Sequence, residues 1–129
     1  MSETENPYAK EAEARWGETD AYKESERRLS RYTPEQKAMA FHAQQRATEL
    51  VIEAKRSGHA PESDEARVAA EACRLAIDVW FYPCDTQMHT RLADMYVSDE
   101  SFAEHYESLE PGLAQYIHDA IYANHRYAH

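Results

Sequence analysis

Large apolar residues recur along this chain at steps of three and four, and nowhere do they alternate with polar ones over a strand's length. The pattern predicts helices throughout. Asn6 followed by Pro7 starts the first, an N-cap residue with proline at the first helical position. The segment behind it, YAKEAEARWGETDAYKESERRL, carries few large apolar residues (Tyr8, Trp16, Tyr22, Leu29), and Gly17 interrupts it. Residues 1–31 are therefore expected as a helical segment with a thin apolar stripe, loosely ordered without a ligand.

Residues 32–129 read as the core of a single domain. Thr33-Pro34-Glu35-Gln36 is a strong helix start, and the face behind it is Ala40, Ala43, Ala47, Leu50, Val51 and Ala54, ended by Gly58. Ser63 caps the next helix, whose predicted inner face is Val68, Ala72, Leu75, Ala76, Val79 and Trp80, stopped by Pro83. Cys84 or Asp85 opens the following one, with Met88, Leu92, Met95 and Tyr96 inward. Ser98-Asp99-Glu100 breaks and restarts the chain, and Phe102, Tyr106 and Leu109 then share a face. After Pro111-Gly112, a last helix turns Leu113, Tyr116, Ile117, Ala120 and Ile121 inward, and His125 to His129 form a frayed end. The fold class is all-α, five to six short helices in one domain.

Composition agrees with that picture: only 3 Gly and 5 Pro in 129 residues, too few for a turn-rich β fold. The net charge of −10 argues against direct nucleic-acid binding, because an acidic surface repels phosphate. No apolar run is long enough to span a membrane. MSETENPYAK lacks a basic start and an apolar core, so Cys73 and Cys84 are expected as reduced thiols of a cytoplasmic protein.

The residues with most chemistry lie in WFYPCDTQMH, Trp80 to His89. A thiol at a helix N-terminus meets free N–H groups and the positive end of the dipole, which favour thiolate. On that reading Cys84 is a nucleophile beside aromatic walls from Trp80, Phe81 and Tyr82. The competing reading is a small buried hydrophobe at a helix corner. A Cys84–His89 pair permits an enzyme, a thiol transferase or hydrolase, although no orienting third group is visible. No metal-ligand spacing, phosphate loop or nucleotide fingerprint appears, so no metal or cofactor is expected. With 9 Tyr against 3 Phe, the amphipathic rings suit a pocket or an interface equally well, leaving a helical protein-interaction domain open.

Three stretches carry a resemblance. Trp16-Gly17 with Ser25 and Tyr32-Thr33, then GHAPESDEARVAAEACRLAI, and above all Phe81 to Tyr127 resemble the TipAS antibiotic-recognition domain family. The last stretch holds Tyr-x-Cys, Met-His, Leu-Ala-x-Met-Tyr, Asp-x-x-Phe, His-Tyr, Pro-Gly-Leu-Ala and a closing Ala-Ile-x-Ala-Asn. The resemblance implies a globin-like helical fold without haem. It also implies binding of bulky natural-product antibiotics such as thiopeptides, in the effector module of MerR-type transcription activators or in shorter drug-sequestering forms. In thiopeptide-capturing members a cysteine adds to a dehydroalanine of the drug, and the matching position is Cys84. No basic winged-helix segment is read here, so a MerR-type DNA-binding domain is expected to be absent. The implied ligand cleft is lined by Trp80, Phe81, Tyr82, Met88, His89, Leu92, Tyr96, Phe102 and Tyr106, with Trp16 and Tyr22 closing over it.

Overall fold

A computed structural model describes residues 19–129. Over these residues the chain forms six helices: α1 (Asp20–Arg31), α2 (Pro34–Arg56), α3 (Asp64–Trp80), α4 (Thr86–Ser98), α5 (Glu100–Leu109) and α6 (Leu113–Ala128). Trp16 and the Asn6-Pro7 start lie outside the described residues.

The helix ends follow side-chain chemistry closely. Thr33 and Gln36 form a reciprocal capping box on α2 (3.1 and 3.0 Å), so two otherwise orphaned N–H groups are satisfied. Gly58, at φ 84°, lets His59 N–H bond Ala54 O and Gly58 N–H bond Lys55 O, a Schellman end. Ser63 caps α3, and Asp99 both ends α4 and caps α5. The start of α6 is solved differently. Gly112 (φ 81°) has no side chain to offer, and Glu107 of α5 supplies the carboxylate, accepting from Gly112 N–H (2.8 Å) and Ala114 N–H (3.1 Å). Those backbone donors hold the Glu107 carboxyl below its usual range.

α2 and α3 form a helical hairpin with an alanine-rich seam: Ala47 and Ala54 on one side, Ala66, Ala69 and Ala70 on the other. Small side chains let two helices approach closely. This corrects the inner face expected for α3. Its buried stripe is Ala66, Ala69, Ala70, Cys73, Ala76 and Ile77, while Val68, Leu75 and Val79 are 59%, 43% and 58% exposed. Leu109 is likewise exposed. The core is completed by α6, whose Leu113, Ile117 and Ile121 are fully buried where it meets α3, α4 and α5. The expected frayed end is instead helical to Ala128. Arg67 stacks 3.5 Å over the Tyr127 ring, and His125 Nδ1 pairs with Thr86 Oγ1 at 2.9 Å.

α1 has no buried residue. Its anchors are at its C-terminal end, where Arg28 Nη1 donates to Asp78 O (2.9 Å) and Tyr32 O–H donates to Trp80 O (3.0 Å). These carbonyls belong to the last turn of α3, which lacks intrahelical partners for them. The Tyr32 ring also meets Trp80 edge-on, centroids 5.6 Å apart. Arg28→Ala combined with Tyr32→Phe should therefore collapse amide protection across α1. Global stability should fall by only about 1–2 kcal/mol. Hydrogen exchange paired with urea unfolding checks this.

Candidate functional site

The corner between α3 and α4 is built by Phe81, Tyr82, Pro83 and Cys84. Phe81 is the C-cap of α3, and its N–H reaches back to Ile77 O (2.8 Å). Asp85 is the N-cap of α4, its carboxylate accepting from Met88 N–H at 2.7 Å. A carboxylate caps better than a thiol, so Cys84 sits one residue outside the helix and the positive dipole end is already met by Asp85. Cys84 is 0% exposed. Burial pushes its thiol up to about 12; the Arg74 guanidinium pulls the other way, and Asp78, Asp85 and Glu71 add to the rise. Of the two readings of Cys84, its environment here fits the small buried residue at a helix corner, with burial favouring the neutral thiol.

Three side chains of α3 frame that corner. Arg74 Nη1 donates to Cys84 O (2.7 Å), and Asp78 Oδ1 accepts from Cys84 N–H (2.8 Å). Arg74 is itself held by both oxygens of Glu71 (2.9 and 2.6 Å), and Glu71 Oε1 accepts from Asn124 Nδ2 of α6 at 2.8 Å. The guanidinium keeps the Glu71 carboxyl low against its burial. A pocket of about 380 Å3 opens beside the corner, bounded by Arg74, Asp78, Cys84, Asp85, Met88 and Arg91. Sequence reasoning missed Glu71, Arg74 and Asp78, although their spacing along one face of α3 was readable.

The expected cleft residues fall into two packed groups. Phe81 and Cys84 join Ala40 and Ile77, with Leu29, Trp80, Tyr82 and Met88 packed around them. Tyr96 belongs to the central core, where its ring lies 5.7 Å from Phe102 and 4.9 Å from Tyr106. Leu92 touches both groups. Trp80, Tyr82, Met88, Leu92, Phe102 and Tyr106 keep partial exposure, as does Tyr22 on α1. His89 does not stand with Met88 as a wall. It turns into the interior, 1% exposed, and its Nδ1 has no hydrogen-bond partner. Burial and the Arg74 charge lower its pKa from 6.5 to about 4.

This helical fold, with an aromatic corner, a buried thiol and a pocket at its side, is that of a small-molecule recognition domain. The chain belongs to the TipAS antibiotic-recognition domain family, whose model matches residues 8–124. It is 38% identical over 117 residues to the HTH-type transcriptional activator TipA of Streptomyces coelicolor, covering 91% of this chain and 46% of that protein. HTH-type transcriptional activator mta of Bacillus subtilis is 31% identical over 75 residues, 57% of this chain and 29% of that one. The chain thus spans less than half the length of these relatives. Among solved structures, Streptomyces lividans TipAS in complex with nosiheptide matches with a TM-score of 0.82 at 37% identity, covering 94% of this chain and 85% of that one. The antibiotic-binding domain of a TipA-class multidrug resistance transcriptional regulator matches with a TM-score of 0.60 at 38% identity, over 65% and 89% of the two chains. The fold is accordingly all-α and globin-like.

Proposed function

We propose that this domain binds bulky heterocyclic antibiotics of the thiopeptide type, and that Cys84 captures those carrying a dehydroalanine. The observation that carries this reading is the match of 94% of the chain to TipAS in its nosiheptide complex. The chemistry is compatible with it. Flat heterocycles stack well on Trp and Tyr, and a thiol is the natural soft nucleophile for an electrophilic alkene. Capture is stoichiometric, so the domain is a binding module and not an enzyme. No described helix is long and apolar enough to cross a membrane. We place the protein in the cytoplasm, where its thiols stay reduced. The relatives are named HTH-type transcriptional activators, which supports an effector role for this domain, joined to a DNA-binding segment; by the family resemblance that segment is of MerR type, and the alternative is a drug-sequestering protein acting alone.

The N-terminal segment, residues 1–31, supplies the cover in this proposal, with Trp16 and Tyr22 as its ligand contacts. Its support is the shallow docking of α1, which buries no residue. A bound thiopeptide should raise the melting temperature, since a ligand at 100 times its dissociation constant adds about 2.7 kcal/mol. It should also slow amide exchange over residues 8–30. Equal protection with and without nosiheptide would rule out the cover, and an unchanged melting temperature would rule out binding.

A further inference from the structure

The expected frayed end, His125 to His129, forms the last turn and C-cap of α6, and the His129 N–H still bonds Arg126 O at 3.3 Å. A frayed end cannot hold two side chains in register; a helical one can, because residues i and i+4 share a face. The imidazoles of His125 and His129 accordingly stand together, ring centroids 4.6 Å apart. Both are aimed at one atom in the first turn of α4. His125 Nδ1 lies 2.9 Å from Thr86 Oγ1, and His129 Nε2 lies 3.0 Å from it. A hydroxyl carries one proton, so it donates to at most one of these nitrogens. Two convergent ring nitrogens therefore share a single donor.

We propose that His125 and His129 form a two-histidine site for a divalent transition metal ion such as zinc. A histidine pair at i and i+4 on one helix face is a recurrent chelating arrangement, and neutral imidazole suits zinc, nickel and copper. The ion takes the lone pairs of His125 Nδ1 and His129 Nε2, with each ring keeping its proton on the other nitrogen. It replaces the two hydrogen bonds to Thr86. Zinc–nitrogen bonds of about 2.0–2.1 Å are shorter than those contacts, so only side chains need adjust. Among the described residues no three His, Cys, Asp or Glu side chains are placed to hold one ion. Water therefore fills the remaining positions, and the site is open on its solvent side. His118 offers no competing site. Its Nε2 faces Asp94 Oδ1 at 3.1 Å and its Nδ1 faces Asp119 Oδ1 at 2.9 Å, on diverging edges of the ring, so one ion cannot join all three. Bound at His125 and His129, the ion bridges one helical turn and fixes the end of α6. This site is independent of the antibiotic reading.

Zinc chloride titrated into the full chain, with the imidazole 15N signals followed by NMR, tests this. The His125 Nδ1 and His129 Nε2 signals should move together and saturate at one ion. Losing even an outer partner of a metal ligand costs about 10–100-fold in affinity. Each of His125→Gln and His129→Gln should therefore weaken the binding read at the remaining ring by about tenfold or more, whereas His118→Gln should leave both rings' response unchanged. His129 is exposed, so its replacement leaves the fold intact. Magnesium chloride separates this site from diffuse attraction to a chain of net charge −10, because magnesium takes oxygen ligands. It should shift neither ring. Zinc that moves neither ring overturns the proposal. So does unchanged affinity in His125→Gln and His129→Gln, an equal loss in His118→Gln, or an equal response of the two rings to magnesium.

Discussion

Shortening Ile121 to alanine is expected to lower the free energy of unfolding by about 3–4 kcal/mol. Ile121 is 1% exposed and continues the Leu113–Ile117 stripe of α6 into the seam with its neighbouring helices. Deleting three methyl or methylene groups removes their transfer free energy and leaves a cavity. The size of the second effect depends on whether neighbours can collapse into it. Here collapse is hindered, because much of the core cluster that Ile121 shares is alanine: Ala47, Ala66, Ala69, Ala70 and Ala93 carry only a methyl group, which cannot extend into a gap. A domain of this size is stable by about 5–15 kcal/mol, so the loss is a large share. Val79→Ala, on the exposed face of α3, serves as the control and should stay within about 0.5 kcal/mol. Urea unfolding of the three proteins decides it, and equal losses at both positions would contradict the packing described for α3 and α6.

The second large effect concerns acid. His89 is lowered from 6.5 to about 4 by burial, helped by the Arg74 charge, with Glu71 opposing. The folded state therefore prefers neutral imidazole, whereas the unfolded chain takes up a proton near 6.5. Stability is fully present above the unfolded value. It falls as pH drops below 6.5 and stops falling once the folded group also protonates, near 4. The loss should reach about 2 kcal/mol between about pH 8 and pH 5, and about 3 kcal/mol at pH 4. The carboxylates of Glu71, Glu107 and Glu110, lowered by their partners, add their own losses at the acid end of that range. His89→Gln should flatten the profile between about pH 8 and pH 5 while keeping a polar side chain. A wild-type curve already flat there would show that His89 titrates normally.

Helix ends were the most legible part of this sequence, because caps are local chemistry. Thr33 with Gln36, Ser63, Asp99 and the two left-handed glycines mark them in the structure as they do in the chain. Helix faces were less legible. In α3 the larger residues Val68, Leu75 and Val79 attract the eye as core, yet the close α2–α3 approach selects alanine and turns them outward. A partner's distance is not written in the helix that meets it. At the α3–α4 corner the sequence left Cys84 and Asp85 open as the helix start, and the choice sets the chemistry: Asp85 takes the cap, Cys84 falls outside it, and His89 goes to the core while Met88 stays beside Cys84. Glu71, Arg74 and Asp78 looked like part of a solvated face, since nothing in the helix itself says that the chain beyond Pro83 folds back to meet Arg74 and Asp78 or that Asn124 of α6 reaches Glu71. Family membership, by contrast, was legible from short motifs between Trp16 and Tyr127, and the family model matches residues 8–124.

The function proposed for this domain is the binding of thiopeptide antibiotics, with Cys84 as the candidate for capturing those that carry a dehydroalanine. Intact-mass spectrometry after mixing with thiostrepton tests it most directly, on wild type and on Cys84→Ala. Wild type should gain a single adduct of the drug's mass, formed stoichiometrically. The Cys84→Ala protein should form none while its melting temperature still rises with the drug. An adduct of equal yield on Cys84→Ala, or neither adduct nor thermal shift on wild type, would contradict it.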